Sequence, residues 1–121
     1  MQPYRSLPTV TTLCAGFAAS LFACSATAAD VEAAHVLELQ ISKSFGNFVF
    51  VALDKPHAVP IACAINTGWQ YTLSLAGEVD KRMFALLVTA QTTGKPVSIR
   101  GAGACNEFGA VESMTVLTLH P

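Results

Sequence analysis

The sequence predicts a small, mainly β domain with one α-helix, preceded by a short apolar leader. Three observations carry that class. Leu37, Leu39 and Ile41 alternate with Glu38, Gln40 and Ser42, the period of a strand with one buried and one wet face. Phe48 to Leu53 is an unbroken apolar, aromatic and β-branched run of strand length. From Glu78 to Thr93 the period changes, with Val79, Met83, Leu86 and Ala90 at i, i+4, i+7 and i+11 on one helical face.

The elements follow in order. Ser44-Phe45-Gly46-Asn47 supplies a turn, so Val36–Ser42 and Phe48–Leu53 read as a hairpin, ended by Asp54-Lys55-Pro56-His57 because proline lacks the donor a central strand needs. Val59 to Ile65 reads as a third strand, with Cys63 on the face of Ile61 and Ile65, and Gly68 breaks it. Trp69, Tyr71, Leu73 and Leu75 then alternate along a further strand. The helix follows, with Glu78 and Asp80 in its first turn, where the dipole favours negative charge. Gly94 is placed for a left-handed cap and Pro96 prevents continuation. Pro96–Arg100 and Val111–Leu119 close the chain as strands, joined by the Gly101–Ala104 loop. The order β-β-β-(β)-α-β-β is that of a small OB-like barrel, with an α+β sandwich as the alternative.

Residues 1–28 read as a secretory signal peptide. Arg5 is their only charged side chain, an apolar run extends from Leu13 to Ala23, and Ala26-Thr27-Ala28 forms an A-x-A site with cleavage expected after Ala28 or Ala29. The run is about half the roughly 20 residues needed to cross a bilayer, so no transmembrane segment is expected. Leu21-Phe22-Ala23-Cys24 resembles a lipobox, which gives an alternative in which Cys24 is lipidated and anchors the chain in the cell envelope. Either route leaves residues 29–121 as one periplasmic or secreted domain. Two cysteines then remain, Cys63 and Cys105, and an even number in an oxidising compartment reads as one disulfide. It would staple the two halves of the sheet around the helix.

Function is approached by elimination. Beyond the leader stand six basic and eight acidic side chains with no basic cluster, which argues against nucleic acid as partner. His35, His57 and His120 sit at no ligand spacing and border strands, where exposed histidines are ordinary, so no metal site is expected. Ser42, Ser44, Ser74, Ser98 and Ser113 form no G-x-S-x-G elbow, and Gly101-Ala102-Gly103 lacks the third glycine and following helix of a dinucleotide loop. No catalytic or cofactor-binding residue is assigned, and a non-enzymatic domain is expected. Aromatic side chains offer large rigid faces to sugars and proteins. The candidates are Phe45 and Phe108, in predicted loops, and Trp69 and Tyr71, whose alternation with Leu73 and Leu75 favours the core.

From Val36 to about Arg100 the chain resembles the binding (B) subunits of subtilase-cytotoxin and pertussis-like AB5 toxins. The resemblance rests on the alternating strand, the turn and apolar second strand, Ile61-Ala62-Cys63-Ala64-Ile65, the helix ending Leu86-Leu87-x-x-Ala90-Gln91-Thr92-Thr93-Gly94, and Val97-Ser98-Ile99-Arg100. It implies an OB-like fold, secretion and, in true toxins, a ring that binds host glycans. Members of that family tend to carry aromatic residues late in the helix, where Val88, Thr89 and Gln91 stand here, so no glycan-binding residue is carried over. The expected function is an exported binding module whose partner is a glycan or a protein; the alternative is a stand-alone periplasmic accessory or structural protein. Phe84, Leu87 and Val88 make the helix more apolar than one buried stripe requires, as a pore-lining helix would be. A helix packed deeply by the Trp69–Leu75 strand explains this equally, and a monomer or small oligomer is expected ahead of a pentamer.

Overall fold

The computed structural model describes residues 28–121, so Cys24 and nearly all of the predicted signal peptide lie outside the described residues. The elements are β1 (Asp30–Ala34), β2 (Val36–Ile41), a short 3-10 turn (Lys43–Phe45), β3 (Phe48–Leu53), β4 (Tyr71–Ser74), α1 (Glu78–Thr93), β5 (Val97–Gly101) and β6 (Glu112–Leu119). The strands form one sheet, in the order β1-β5-β6-β4-β3-β2, curled into a half-barrel. All pairings are antiparallel except β4 with β6.

The two edge strands are consecutive in the chain, separated only by His35. Ala33 turns this corner at φ 47°, a left-handed conformation unusual for alanine, beside a register shift between Val31 and Ala34. Asp54 holds the corner: Oδ1 accepts from the His35 N–H at 2.7 Å and Oδ2 lies 2.9 Å from the His35 ring. These hydrogen bonds, the backbone one first, hold the Asp54 carboxyl below its ordinary value. The contribution of Asp54 to stability is therefore present above the ordinary carboxylate range and fades as pH falls through the lowered value. An NMR titration should show the Asp54 carboxyl and the His35 amide moving together in that acidic range.

Directly paired residues of antiparallel strands share a face. Val49, Val51, Tyr71 and Leu73 thus lie together on one side of β3 and β4, within the core, with α1 packed nearby. Phe48, Phe50, Thr72 and Ser74 lie on the other. Phe50 and Thr72 are also buried, so these strands are covered on both faces. This is why β3 reads as a continuous apolar run.

Several expectations are corrected. Val59–Ile65 is not a strand but a series of turns within the long β3–β4 connection, held by Ala64 N–H to Ile61 C=O and Asn66 N–H to Ala110 C=O. Pro56 and Pro60 remove donors there, and Val59 and Ile65 are exposed. The missing strand is instead β1, which was not anticipated. In β2, Leu37 is 62% exposed because a register shift between Val36 and Glu38 turns it out, and Ile41 is also exposed; of the three alternating residues only Leu39 packs against the core, which β2 enters mainly through Val36. The helix spans its expected residues and ends at Gly94 in the left-handed region, φ 68° and ψ 18°. Its buried face, however, carries Leu87 and Ala90, with Met83 and Phe84 beside them, while Val79 and Leu86 are exposed. Among the described residues, no helix is long and apolar enough to cross a membrane.

Candidate functional site

The outer face of β3 is covered by two loops, residues 54–70 and 102–111. Cys63 and Cys105 are joined in a disulfide with their Cα atoms 6.0 Å apart, one in each loop. Because Cys63 is not in a strand, the bridge ties these loops together at the outer face rather than stapling two halves of the sheet around the helix. A seventeen-residue connection without strand or helix is long for so small a domain, and such loops commonly carry function.

The loops enclose an aromatic cluster. Phe50, buried on β3, is its hub: Phe108 meets it edge-on at 4.9 Å between ring centroids and Phe45 edge-on at 5.5 Å, while Trp69 lies tilted against it at 6.1 Å. Phe45 and Phe108 meet at 5.6 Å, and Phe48 closes against Phe108 at 6.3 Å. Edge-to-face geometry places positive ring edges on negative faces and adds to the burial gain.

The backbone around these rings is held by specific bonds. Asn66 Oδ1 accepts from the N–H groups of Gly68 at 2.8 Å and Trp69 at 3.0 Å, an Asx turn that aims the indole. Glu107 Oε2 accepts from the Ser74 N–H at 3.0 Å and fastens the second loop to β4 beside Phe108. Burial raises the Glu107 carboxyl above its ordinary value, although the Ser74 hydrogen bond opposes this.

A shallow, open cleft of about 110 Å³ lies among Gln40, Phe45, Phe50, Asn66, Trp69 and Phe108. That is below the range of pockets that enclose a ligand, so the cleft offers a wall for one ring rather than an enclosure. Its walls are ring faces and edges; its polar groups are the amides of Gln40 and Asn66. Phe45, Phe108 and Trp69, expected as surface aromatics, are thus brought together, with Phe45 exposed and the other two half-buried. Tyr71 is not part of the cleft. It is fully buried on the core face, as its alternation with Leu73 suggested. Phe50 and the two amides were not anticipated; the pairing of Gln40 with Phe50 across β2 and β3 places those two on this face, and Asn66 is brought by the β3–β4 connection.

A second cavity, of about 120 Å³, lies over β1, β5 and β6 and is lined by Asp30, Glu32, Ser98, Arg100 and Thr118 among others. Two of its charged groups, Arg100 and Asp30, pair with one another at 3.3 Å. Among the described residues, no three His, Cys, Asp or Glu side chains converge as a metal site.

A buried polar cluster lies inside the half-barrel. Glu112 is wholly buried at the start of β6. The Tyr71 hydroxyl donates to the Ala29 carbonyl, and burial, with the Glu112 carboxylate second and Asp30 third, raises the phenol far above its ordinary value, so it stays protonated. His57, expected to be an exposed border histidine, is instead largely covered. Its Nε2 donates to the Gln70 carbonyl at 2.8 Å, and its ring meets Tyr71 edge-on. Tyr71 and Glu112 are fully buried and line neither of these two cavities.

Compared with known protein families, with curated proteins and with solved structures, the chain matches none of them.

Proposed function

We propose that this chain is an exported, non-enzymatic binding module whose aromatic cleft receives one sugar ring of a glycan. The observation that carries the reading is the composition of the cleft: three partly exposed aromatic side chains over a buried fourth, with two side-chain amides at the rim. The apolar C–H face of a sugar stacks on rigid rings at little entropic cost. Amides donate to and accept from hydroxyls without requiring a charge on the ligand. Asn66 already uses its oxygen on backbone N–H groups, which leaves its NH₂ as a donor. The small volume fits a terminal ring better than an extended chain. An OB-like barrel akin to toxin B subunits is the fold reading that accompanies this function, with the single domain acting as a monomer or small oligomer.

The test uses the chain's only tryptophan, Trp69, as reporter. The exported domain should give discrete hits on a glycan array, and titration with a hit should change Trp69 fluorescence. Phe108→Ala should weaken binding about tenfold, the size of one lost aromatic contact. Val116→Ala, outside the cleft, should leave it unchanged. A blank array with no fluorescence response at millimolar glycan would reject this reading and favour a periplasmic accessory protein. Light scattering at micromolar concentration checks the oligomeric state, and a stable pentamer would overturn that part.

A further inference from the structure

One carboxylate in the core lacks a full set of partners. Glu112 Oε1 accepts from the Gly103 N–H at 2.9 Å and the Ala29 N–H at 3.2 Å. Its Oε2 has no hydrogen-bond partner among the described residues. The nearest charged-capable nitrogen is His57 Nε2 at 3.5 Å, but its proton is directed to the Gln70 carbonyl. No lysine or arginine pairs with Glu112 among the described residues. The pocket is nevertheless built around this side chain: a Cβ at Gly101 would overlap its carboxylate, so β5 admits it only as glycine. A buried carboxylate without a counter-charge is costly, and one that the backbone is shaped to admit calls for a partner.

The group that reaches it is the backbone nitrogen of Ala29, itself fully buried. Ala29 is also the residue that follows Ala26-Thr27-Ala28, the expected processing site. As a peptide nitrogen it offers one N–H. Hydrolysis of the Ala28–Ala29 bond breaks the C–N bond and consumes one water. The hydroxyl joins the Ala28 carbonyl carbon, which departs as a carboxylate on the released segment. The nitrogen keeps the remaining proton and takes up the one lost by that acid. It becomes an ammonium with three N–H donors and a positive charge, 3.2 Å from Glu112 Oε1.

We propose that removal of the leader at Ala28–Ala29 supplies the missing counter-charge, with the new α-ammonium seated on Glu112 and the Tyr71 hydroxyl anchoring the Ala29 carbonyl. Processing then completes the core, and the mature domain is more stable than its own precursor. The geometry also chooses between the two expected cleavage points. A chain starting at Asp30 would lose the Ala29 nitrogen that reaches Glu112 and the carbonyl that accepts from Tyr71, leaving Glu112 with the Gly103 N–H alone. The proposal shares only the export expectation with the function proposed above; a blank glycan array leaves it intact, and a different N-terminus leaves the cleft reading intact.

The experiment exports the full chain from a bacterial host and reads the mature protein by intact mass and N-terminal sequencing. A free amine on Ala29 is expected. An amine-directed acylating reagent at neutral pH should label that amine at least tenfold more slowly in the folded protein than in urea. A start at Asp30, a lipidated start at Cys24, or equal labelling rates folded and unfolded would overturn the proposal without any variant being needed. As a second arm, Glu112→Gln should lower the thermal midpoint clearly in the chain starting at Ala29. In a chain with one glycine added before Ala29 the same substitution should shift the midpoint much less. Equal shifts in the two backgrounds would also overturn it.

Discussion

Replacing Cys63 and Cys105 together by alanine is expected to cost about 4 kcal/mol, since the bridge closes a loop with a sequence separation of 42 and the unfolded chain gains the corresponding freedom. For a domain of this size that is a large share of total stability. The loss should also be local. The bridge joins the loop that carries Asn66 and Trp69 to the loop that carries Phe108, while the contacts of α1 with β2, β4 and β6 do not depend on it. Urea unfolding of the oxidised and the double-alanine proteins, followed by both helical circular dichroism and Trp69 fluorescence, checks this. Both probes should show a lower midpoint, and the fluorescence of the variant should be altered before unfolding begins. A variant with an unchanged midpoint would mean the bridge constrains little.

Leu87→Ala should cost about 2–5 kcal/mol, the lost transfer of a buried side chain plus the cavity it leaves. Leu87 is fully buried in the core, whereas Leu86, one residue earlier, is 39% exposed. Leu86→Ala should therefore cost under about 1 kcal/mol, in line with surface substitutions. Helical circular dichroism in urea on the two variants side by side measures the difference. Comparable losses would place the buried face of α1 where periodicity alone put it.

That comparison shows how far the sequence could be read. The bounds of α1 were legible because a change of period, two acidic residues in the first turn and Gly94 before Lys95-Pro96 are all local signals. Its buried side was not. Val79, Met83, Phe84, Leu86, Leu87 and Val88 surround much of the helix with apolar groups, so two stripes one residue apart fit almost equally well. Tertiary packing against β2, β4 and β6 selects the stripe of Leu87 and Ala90. Val59–Ile65 misled for a related reason. Its alternation is genuine, but a strand needs a neighbouring ladder for its N–H and C=O groups, and the prolines and the turns around Cys63 direct them elsewhere.

The candidate cleft was half legible. Phe45, Phe108 and Trp69 stood out as aromatics in or beside loops, but their meeting on Phe50 depends on the register of β2, β3 and β4 and on the disulfide. The buried cluster left no local trace: Ala29 and Glu112 are 83 residues apart, and Glu112 reads in sequence as one more dispersed charge. What the sequence by itself determined is the mainly β class, the hairpin of β2 and β3, the helix with its left-handed cap, and the pairing of two cysteines. Each rests on local periodicity, on capping chemistry or on a count. The tertiary structure decided which faces are buried, that β1 completes the sheet, and that Glu112 lies within reach of the Ala29 nitrogen. Those follow from contacts between distant segments, which no window of neighbouring residues encodes.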